Sequence, residues 1–399
     1  MTDAEGRGGG ERERREAHRV LVVVGTRPEA IKMAPVLEAL EAHPELEARL
    51  ALTGQHTDMV DHVLELFGLE PSWDLEIMQP GQTLYDVVHR ALDGLRDVVR
   101  SWSPDVLLVQ GDTATVFVGS LVAFFERVKV GHVEAGLRSG DKWAPFPEEI
   151  FRRLSDVLSD YYFAPTLRAR DALLNEGVPA HRVHVTGNTV VDALRAAADR
   201  VEEPTDADLR ALLEGRAHGD RLVLLTAHRR ESFGEPLREV FQAVRELVDG
   251  DPSLQVVYPV HPNPNVLEPA RALLSGHPRI HLVEPLDYLD LVATLRHADL
   301  VLTDSGGIQE EAPTFGAPVL VLREVTERPE GVQAGVAELV GTDGARILER
   351  SRAALERGGS SGGEGATNPY GDGRAGERIA DILRSDLTGA ERTIEDWRP

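Results

Sequence analysis

Carboxylates crowd beside arginines in one short stretch of this sequence. Residues 132 to 153, HVEAGLRSGDKWAPFPEEIFRR, carry His132, Glu134, Arg138, Asp141, Glu148, Glu149 and Arg152 on a segment broken by prolines. Like charges held together push pKa values apart, and carboxyls so divided can take a proton at one place and return it at another. Asp112, in QGDTATV, and Glu134 each stand after an apolar run. Glu148 and Glu149 open a helical pattern, and Arg152 falls four residues past Glu148 on the same helical face. Each also has a plain structural reading: Asp112 as a helix cap, the glutamates as first-turn acids favoured by the helix dipole. Three acids at neighbouring strand ends in one cleft point instead to proton transfer.

Anion chemistry has its own candidates. In TDSGGIQEEA, Ser305, Gly306 and Gly307 follow an apolar run and open a helical one. Free backbone N–H groups and the positive end of the helix dipole then face the ligand, and glycine lets a phosphate come close. Glu310 and Glu311 fall about one turn further on, where a carboxylate can accept from ribose hydroxyls. GTRPEAIKMAP puts Thr26 and Arg27 at a strand end, Pro28 at the first helical position and Lys32 one turn inside. Arg27 and Lys32 together suit one anion. AHRRESFG supplies His228, Arg229 and Arg230, a cationic trio fit to stabilise charge on a departing phosphate. VHPNPNV adds His261 and Asn263, residues that also serve turn geometry alone. None of these is the GxGxxG fingerprint, so no NAD requirement is indicated.

The elements that must position these residues repeat one pattern from residue 20 onward. A short β-branched run leads through a Gly-containing turn into an amphipathic helical stretch: VLVVV, then ARLALTG, DVLLVQGD and VKVGHVEAG. After the polar segment EEPTDADLRALLEGRAHGD the alternation restarts with RLVLLTAHRRESFG, LQVVYPVHPNPNV, ADLVLTDSGGIQEEA and APVLVLRE. Continuous apolar strands alternating with helices mean parallel sheets covered on both faces. We therefore expect an α/β chain of two doubly wound, Rossmann-like halves with a cleft between them. The expected divisions are a disordered tail (1–17), an N-terminal domain (18–187), a nucleotide-binding C-terminal domain (188–367), and a last helix (368–386) crossing back to the first domain. Ligands of such sheets bind at the carboxyl ends of the strands, at the switch point, where every cluster above sits.

Composition narrows the classes. At 399 residues, 42% hydrophobic and 28% charged, the chain suits two soluble domains. No apolar run approaches the ~20 residues of a membrane span. The N-terminus, MTDAEGRGGGERERREAHR, lacks the apolar core of a signal peptide, and we expect cytoplasmic residence. The absence of cysteine excludes disulfides and thiolate chemistry. The formal charge is -24, with three lysines (Lys32, Lys129, Lys142) among 43 basic residues against 67 acids. Two readings fit equally: a solvated acidic surface of the salt-adapted kind, or arginine favoured by codon usage. Neither offers the basic face that a nucleic acid needs.

Taken together, GTRPEAIKMAP, TGQHTDM, QGDT, GHVEAGLRSGD, PFPEEIFRR, TGNTVVDAL, HRRESFG, VYPVHPNPNV, TDSGGIQEEAP, REVTERPE and NPYGDG closely resemble the non-hydrolysing UDP-N-acetylglucosamine 2-epimerases, from about Val20 to about Leu383. The resemblance implies the glycosyltransferase-B architecture. It also implies reversible conversion of UDP-GlcNAc to UDP-ManNAc, by anti elimination of UDP to a 2-acetamidoglucal and re-addition, with no cofactor and no obligatory metal. It assigns acid/base roles to Asp112, Glu134 and Glu148 and an active-site role to His228. Nucleotide contacts carry over to Arg27, Lys32, Ser305, Gly306, Gly307, Glu311 and Arg328; Arg152, Arg229 and Asn263 join them as substrate-binding candidates. It further implies a homodimer and a second, regulatory substrate site, for which Gln55 and His56 are candidates. Ala227 stands before His228 where many relatives have glycine.

Other activities share parts of this pattern. A sister epimerase acting on UDP-2,3-diacetamido-glucuronic acid keeps most of these motifs, and a hydrolysing relative would release ManNAc and UDP. A glycosyltransferase of the same architecture would need an acceptor groove or a basic membrane-facing patch, and a silent UDP-sugar sensor would need a broken carboxylate set.

Overall fold

The computed structural model describes residues 17–54, 59–79, 81–200, 203–217, 219–358 and 368–398. Most of the expected tail, Gln55 and His56, and nearly all of the Gly/Ser loop at 357–366 lie outside the described residues.

The central strands, His18–Val24, Val106–Gln110, Arg221–Thr226 and Leu300–Thr303, form where apolar runs rich in valine and leucine leave little polar face. In the first half the strands are His18–Val24 (β1), Leu46–Leu52 (β2), Trp73–Asp74 (β3), Val106–Gln110 (β4), Lys129–Val133 (β5), Tyr161–Ala164 (β6) and Val183–Val185 (β7). The second half has Arg221–Thr226 (β8), Leu254–Pro259 (β9), Ile280–Val283 (β10), Leu300–Thr303 (β11), Val319–Val321 (β12) and Ala337–Leu339 (β13). Val20–Val24, all of β4 and all of β11 are buried without alternation, as strands covered on both faces must be.

Among the described residues these strands make two sheets, ordered β3-β2-β1-β4-β5-β6-β7 and β10-β9-β8-β11-β12-β13. The pairings are parallel in both. The α/β expectation of two doubly wound sheets is thus met. Chain order reverses between β1 and β4 in one sheet and between β8 and β11 in the other, and each reversal opens a crevice at the carboxyl ends.

Helices fix how the halves meet. Thr26 and Glu29 form a capping box that starts the helix Arg27–Glu41. Pro28 is its second residue, one later than the sequence suggests, where the N–H is unpaired as well. The helix Ala375–Thr388 packs on Arg27–Glu41 and on Thr189–Arg200. Its approach requires glycine: a β-carbon on Gly376 would lie 2.5 Å from the Pro35 carbonyl oxygen. Ile379, Ile382 and Leu383 enter the same core as Val22 and Phe163. Each such side chain contributes roughly 1.5–3 kcal/mol when fully buried. Thr189–Arg200 also touches the helices Tyr288–His297 and Gly306–Glu311, so a single helix packs on both halves. Among the described residues no helix is long and apolar enough to cross a membrane.

Candidate active site

At the β1/β4 crevice a cavity of about 420 Å3 is lined by Lys32, Asp112, Glu134, Arg152 and, from the second half, Arg328, with Glu29 and Gln110 beside them. Glu134 follows β5 directly in the left-handed region, at φ 68°. For a residue with a β-carbon that conformation costs on the order of 1 kcal/mol. It brings the carboxylate within 2.7 Å of Lys32 Nζ, and Gln110 Nε2 donates to the same oxygen. Gly136, at φ 88°, completes the turn against the helix Leu167–Asn175; a β-carbon there would sit 2.2 Å from the Ala169 carbonyl oxygen. Burial alone would raise the pKa of Glu134. Lys32 overturns that, helped by Arg328 and Arg152, and holds Glu134 below the ordinary carboxylate range. The same cluster keeps Lys32 charged, since Glu134 and Glu310 outweigh its own desolvation.

Asp112 is paired with Arg152, whose guanidinium also lies 3.4 Å from Glu149 Oε2. Glu149 is fully buried and accepts the Ser139 amide at 3.0 Å, while its Oε1 has no hydrogen-bond partner. Glu148 opens the helix Glu148–Leu158 and is partly exposed, outside the lining of this cavity. Glu29 binds the crevice together: it accepts from the Gly25 and Thr26 amides and, at 2.6 Å, from the Thr113 hydroxyl. Burial pushes its pKa up to about 7 against those donors, with Asp112 adding to the rise.

The β8/β11 crevice is built differently. Asp304, almost fully buried, accepts the amides of His228 and Arg229 at 2.6 and 2.7 Å. His228 Nδ1 lies 3.4 Å from the same carboxylate, and its ring stacks on His261 at 5.7 Å. Burial lowers the His228 pKa, and Arg229 and His261 add to the effect against Asp304. At neutral pH His228 therefore brings a hydrogen bond rather than the charge its place in a cationic trio suggests. Arg230 is exposed. Ser305 caps the helix Gly306–Glu311, which is only six residues long, so backbone N–H groups and space outweigh any dipole. Asn263 caps the helix Pro264–Leu274, its Oδ1 accepting the Asn265 amide at 2.9 Å.

Glu310 and Glu311 part company. Glu310 is buried and holds Arg328 Nε at 2.6 Å, with Asn188 Nδ2 at 3.3 Å. Glu311 has a buried Oε2 without a hydrogen-bond partner; burial and then Glu310 push its pKa up to about 7, against Lys32 and Arg27. Arg27 is the first residue of its helix and partly exposed.

Of the residues singled out in the sequence, Lys32, Asp112, Glu134, Arg152 and Arg328 meet in one cavity. His228 and Arg229 cluster with Asp304, one position before Ser305 and Gly306. Sequence reasoning offered Glu310 to a ribose hydroxyl, whereas the structure pairs it with Arg328 and Asn188, and it passed over Gln110 and Asp304, whose partners lie far along the chain. It also passed over Glu29, although Thr26-x-x-Glu29 is a legible capping-box signature. Among the described residues no group of three His, Asp or Glu is placed to hold a metal ion.

Two doubly wound parallel sheets sharing a cleft, with Arg328 of one half lining the crevice of the other, define a protein of the glycosyltransferase-B-like class. The chain belongs to the UDP-N-acetylglucosamine 2-epimerase family, whose model matches residues 38–384. It is 49% identical to the UDP-N-acetylglucosamine 2-epimerase of Salmonella typhimurium over 370 residues, 92% of this chain and 98% of the relative. Against that of Bacillus subtilis the identity is 45% over 366 residues, covering 92% and 94%. The crystal structure of the Neisseria meningitidis UDP-GlcNAc 2-epimerase bound to UDP-GlcNAc matches with a TM-score of 0.80 at 42% identity, covering 93% of this chain and all of that one.

Proposed function

We propose that this chain interconverts UDP-GlcNAc and UDP-ManNAc by inverting C2 through elimination of UDP and its re-addition. The observation that carries this reading is the cavity where two carboxylates, Asp112 and Glu134, each stand beside their own cation, Arg152 and Lys32. The C2 proton of the sugar is weakly acidic. A positioned carboxylate must take it while the C1–O bond breaks and UDP departs with the electron pair. Charge growing on the leaving diphosphate needs fixed donors. Arg27, Lys32, Arg229 and Arg328, neutral His228 and the backbone N–H groups around Ser305, Gly306 and Gly307 fill that role in this proposal. Re-addition runs in reverse, UDP oxygen attacking C1 of the 2-acetamidoglucal while a carboxyl on the other face gives C2 its proton. Glu148 is the third acid/base candidate; its support is the family motif and its place at the start of the helix that carries Arg152.

Glu311, with its unpartnered buried oxygen, suits a ribose hydroxyl, and Asn263 belongs to the nucleotide end. The regulatory role of Gln55 and His56 rests on the motif alone. The homodimer is part of the same proposal. Tyr85, Phe124, Phe125, Leu154 and Val157 are exposed on three adjoining helices, a face suited to a second copy. Light scattering should give twice the 43.6 kDa chain mass and fall to one for Val157→Asp combined with Phe125→Asp.

Proton NMR of the protein with UDP-GlcNAc in D2O tests the reaction. UDP-ManNAc should appear with deuterium at C2 of both epimers. Retention of the C2 proton overturns the proposal, and free ManNAc with UDP would identify hydrolysis instead.

A further inference from the structure

His132 is fully buried at the end of β5, where solvent cannot supply a hydrogen-bond partner. Both ring nitrogens face acceptors: Nδ1 lies 2.7 Å from Asp156 Oδ1, and Nε2 lies 2.7 Å from the carbonyl oxygen of Gly111. A carbonyl oxygen only accepts, so Nε2 carries a hydrogen. Asp156 also only accepts while ionised, and Arg138 Nη2 at 2.7 Å with the Gly136 amide at 3.4 Å keeps it so. Nδ1 must then carry a hydrogen too, because a bare nitrogen facing a carboxylate oxygen at that distance sets lone pair against lone pair. Arg138 is in turn neutralised by Glu176 at 2.8 Å. The charged groups facing the ring are thus Asp156 directly and the Arg138–Glu176 pair behind it.

The far end of this chain is the peptide before Asp112. Gly111 stands in the left-handed region at φ 85°, its amide donates to the Val133 carbonyl at 3.1 Å, and its carbonyl receives the His132 ring. Both polar groups of that residue are therefore held by β5, and the next side chain is Asp112, held from the other flank by Arg152. We infer that His132 is a positioning residue, a permanently protonated imidazolium that bridges Asp156 to the Gly111 carbonyl and fixes the turn presenting Asp112 to the sugar. It touches no reacting atom. Its part in turnover rests on the proposed proton transfer by Asp112, and a misplacement of about 1 Å in such a group slows reaction by up to ~100-fold.

The test compares wild type, His132→Gln, Asp112→Asn and the double variant by C2 deuterium exchange and by titration with UDP. His132→Gln should slow exchange roughly 10- to 100-fold and leave UDP affinity within about twofold. Because His132 acts through Asp112, the double variant should be no slower than Asp112→Asn alone. Normal exchange in His132→Gln, or losses that multiply in the double variant, overturns the inference. Normal exchange in Asp112→Asn instead overturns the proton-transfer reading on which it rests. Nitrogen NMR of wild-type protein labelled in its histidines keeps the protonation state testable even if His132→Gln does not fold. One buried ring should show both N–H groups from pH 6 to 9, and a bare nitrogen on that ring overturns the imidazolium.

Discussion

The two crevices share an architecture and differ in what they do with charge. In each, a buried carboxylate gathers two backbone amides at the end of the first strand. Glu29 takes Gly25 and Thr26; Asp304 takes His228 and Arg229. Beyond that the halves diverge. The first fills its crevice with ion pairs, Lys32 with Glu134 and Arg152 with Asp112. The second sets Arg229 beside a neutral histidine and glycine backbone and, in Glu311, holds a buried carboxyl oxygen without a hydrogen-bond partner. Equal folds thus carry unequal electrostatics. On the proposed function, poised carboxylates serve proton transfer at the sugar, and Arg229 with neutral His228 and backbone donors serves the nucleotide.

Glu134→Gln breaks the comparison most severely. Removing a general base costs typically 100- to 10,000-fold, so turnover should fall in that range while UDP affinity changes less than about threefold. Kinetics paired with UDP titration check it.

Arg328→Ala comes next because it joins the halves. Losing one partner of a buried pair costs about 3–5 kcal/mol, and the low end applies since Arg328 keeps 21% of its side chain exposed. Denaturant unfolding should show that loss, with weakened UDP binding beside it.

Glu311→Gln probes the second crevice through pH. A carboxyl whose folded pKa stands above its unfolded value of about 4.5 favours the folded state most below that pH. That contribution is lost as pH rises through about 7. Glutamine stays neutral throughout. The variant should be more stable than wild type at pH 8, by roughly 1–3 kcal/mol, and the gap should close toward pH 5. Melting curves at the two pH values decide it.

Asn263→Asp has the smallest expected effect. Aspartate caps a helix as well as asparagine, so stability should hold within about 0.5 kcal/mol. A nucleotide contact through the amide would still weaken UDP binding, roughly threefold by loss of one modest hydrogen bond.

The sequence carried the central strands because their apolar runs are short and closed by a polar turn, but it did not mark β3, β6, β7, β10 or β13, which are only two to four residues long. It carried Asp112 and Glu134 for the same reason, since both stand where a strand must end. It did not carry their partners. Lys32 and Glu134 are 102 residues apart, and Asp304 and His228 are 76 apart, distances that only the crossover topology closes. Arg328 lies in VTERPE, outside any periodic pattern, and only the family motif marked it. The neutrality of His228 is a property of burial and of neighbours from other strands, which no local spacing encodes.

The division of labour between the crevices is tested most directly by measuring UDP affinity and C2 deuterium exchange side by side for Glu134→Gln and Arg229→Ala. Glu134→Gln should keep UDP affinity and lose exchange. Arg229→Ala should lose at least several-fold in UDP affinity yet still exchange at saturating substrate. Exchange at the wild-type rate in Glu134→Gln, or both properties lost together in each variant, would contradict that division.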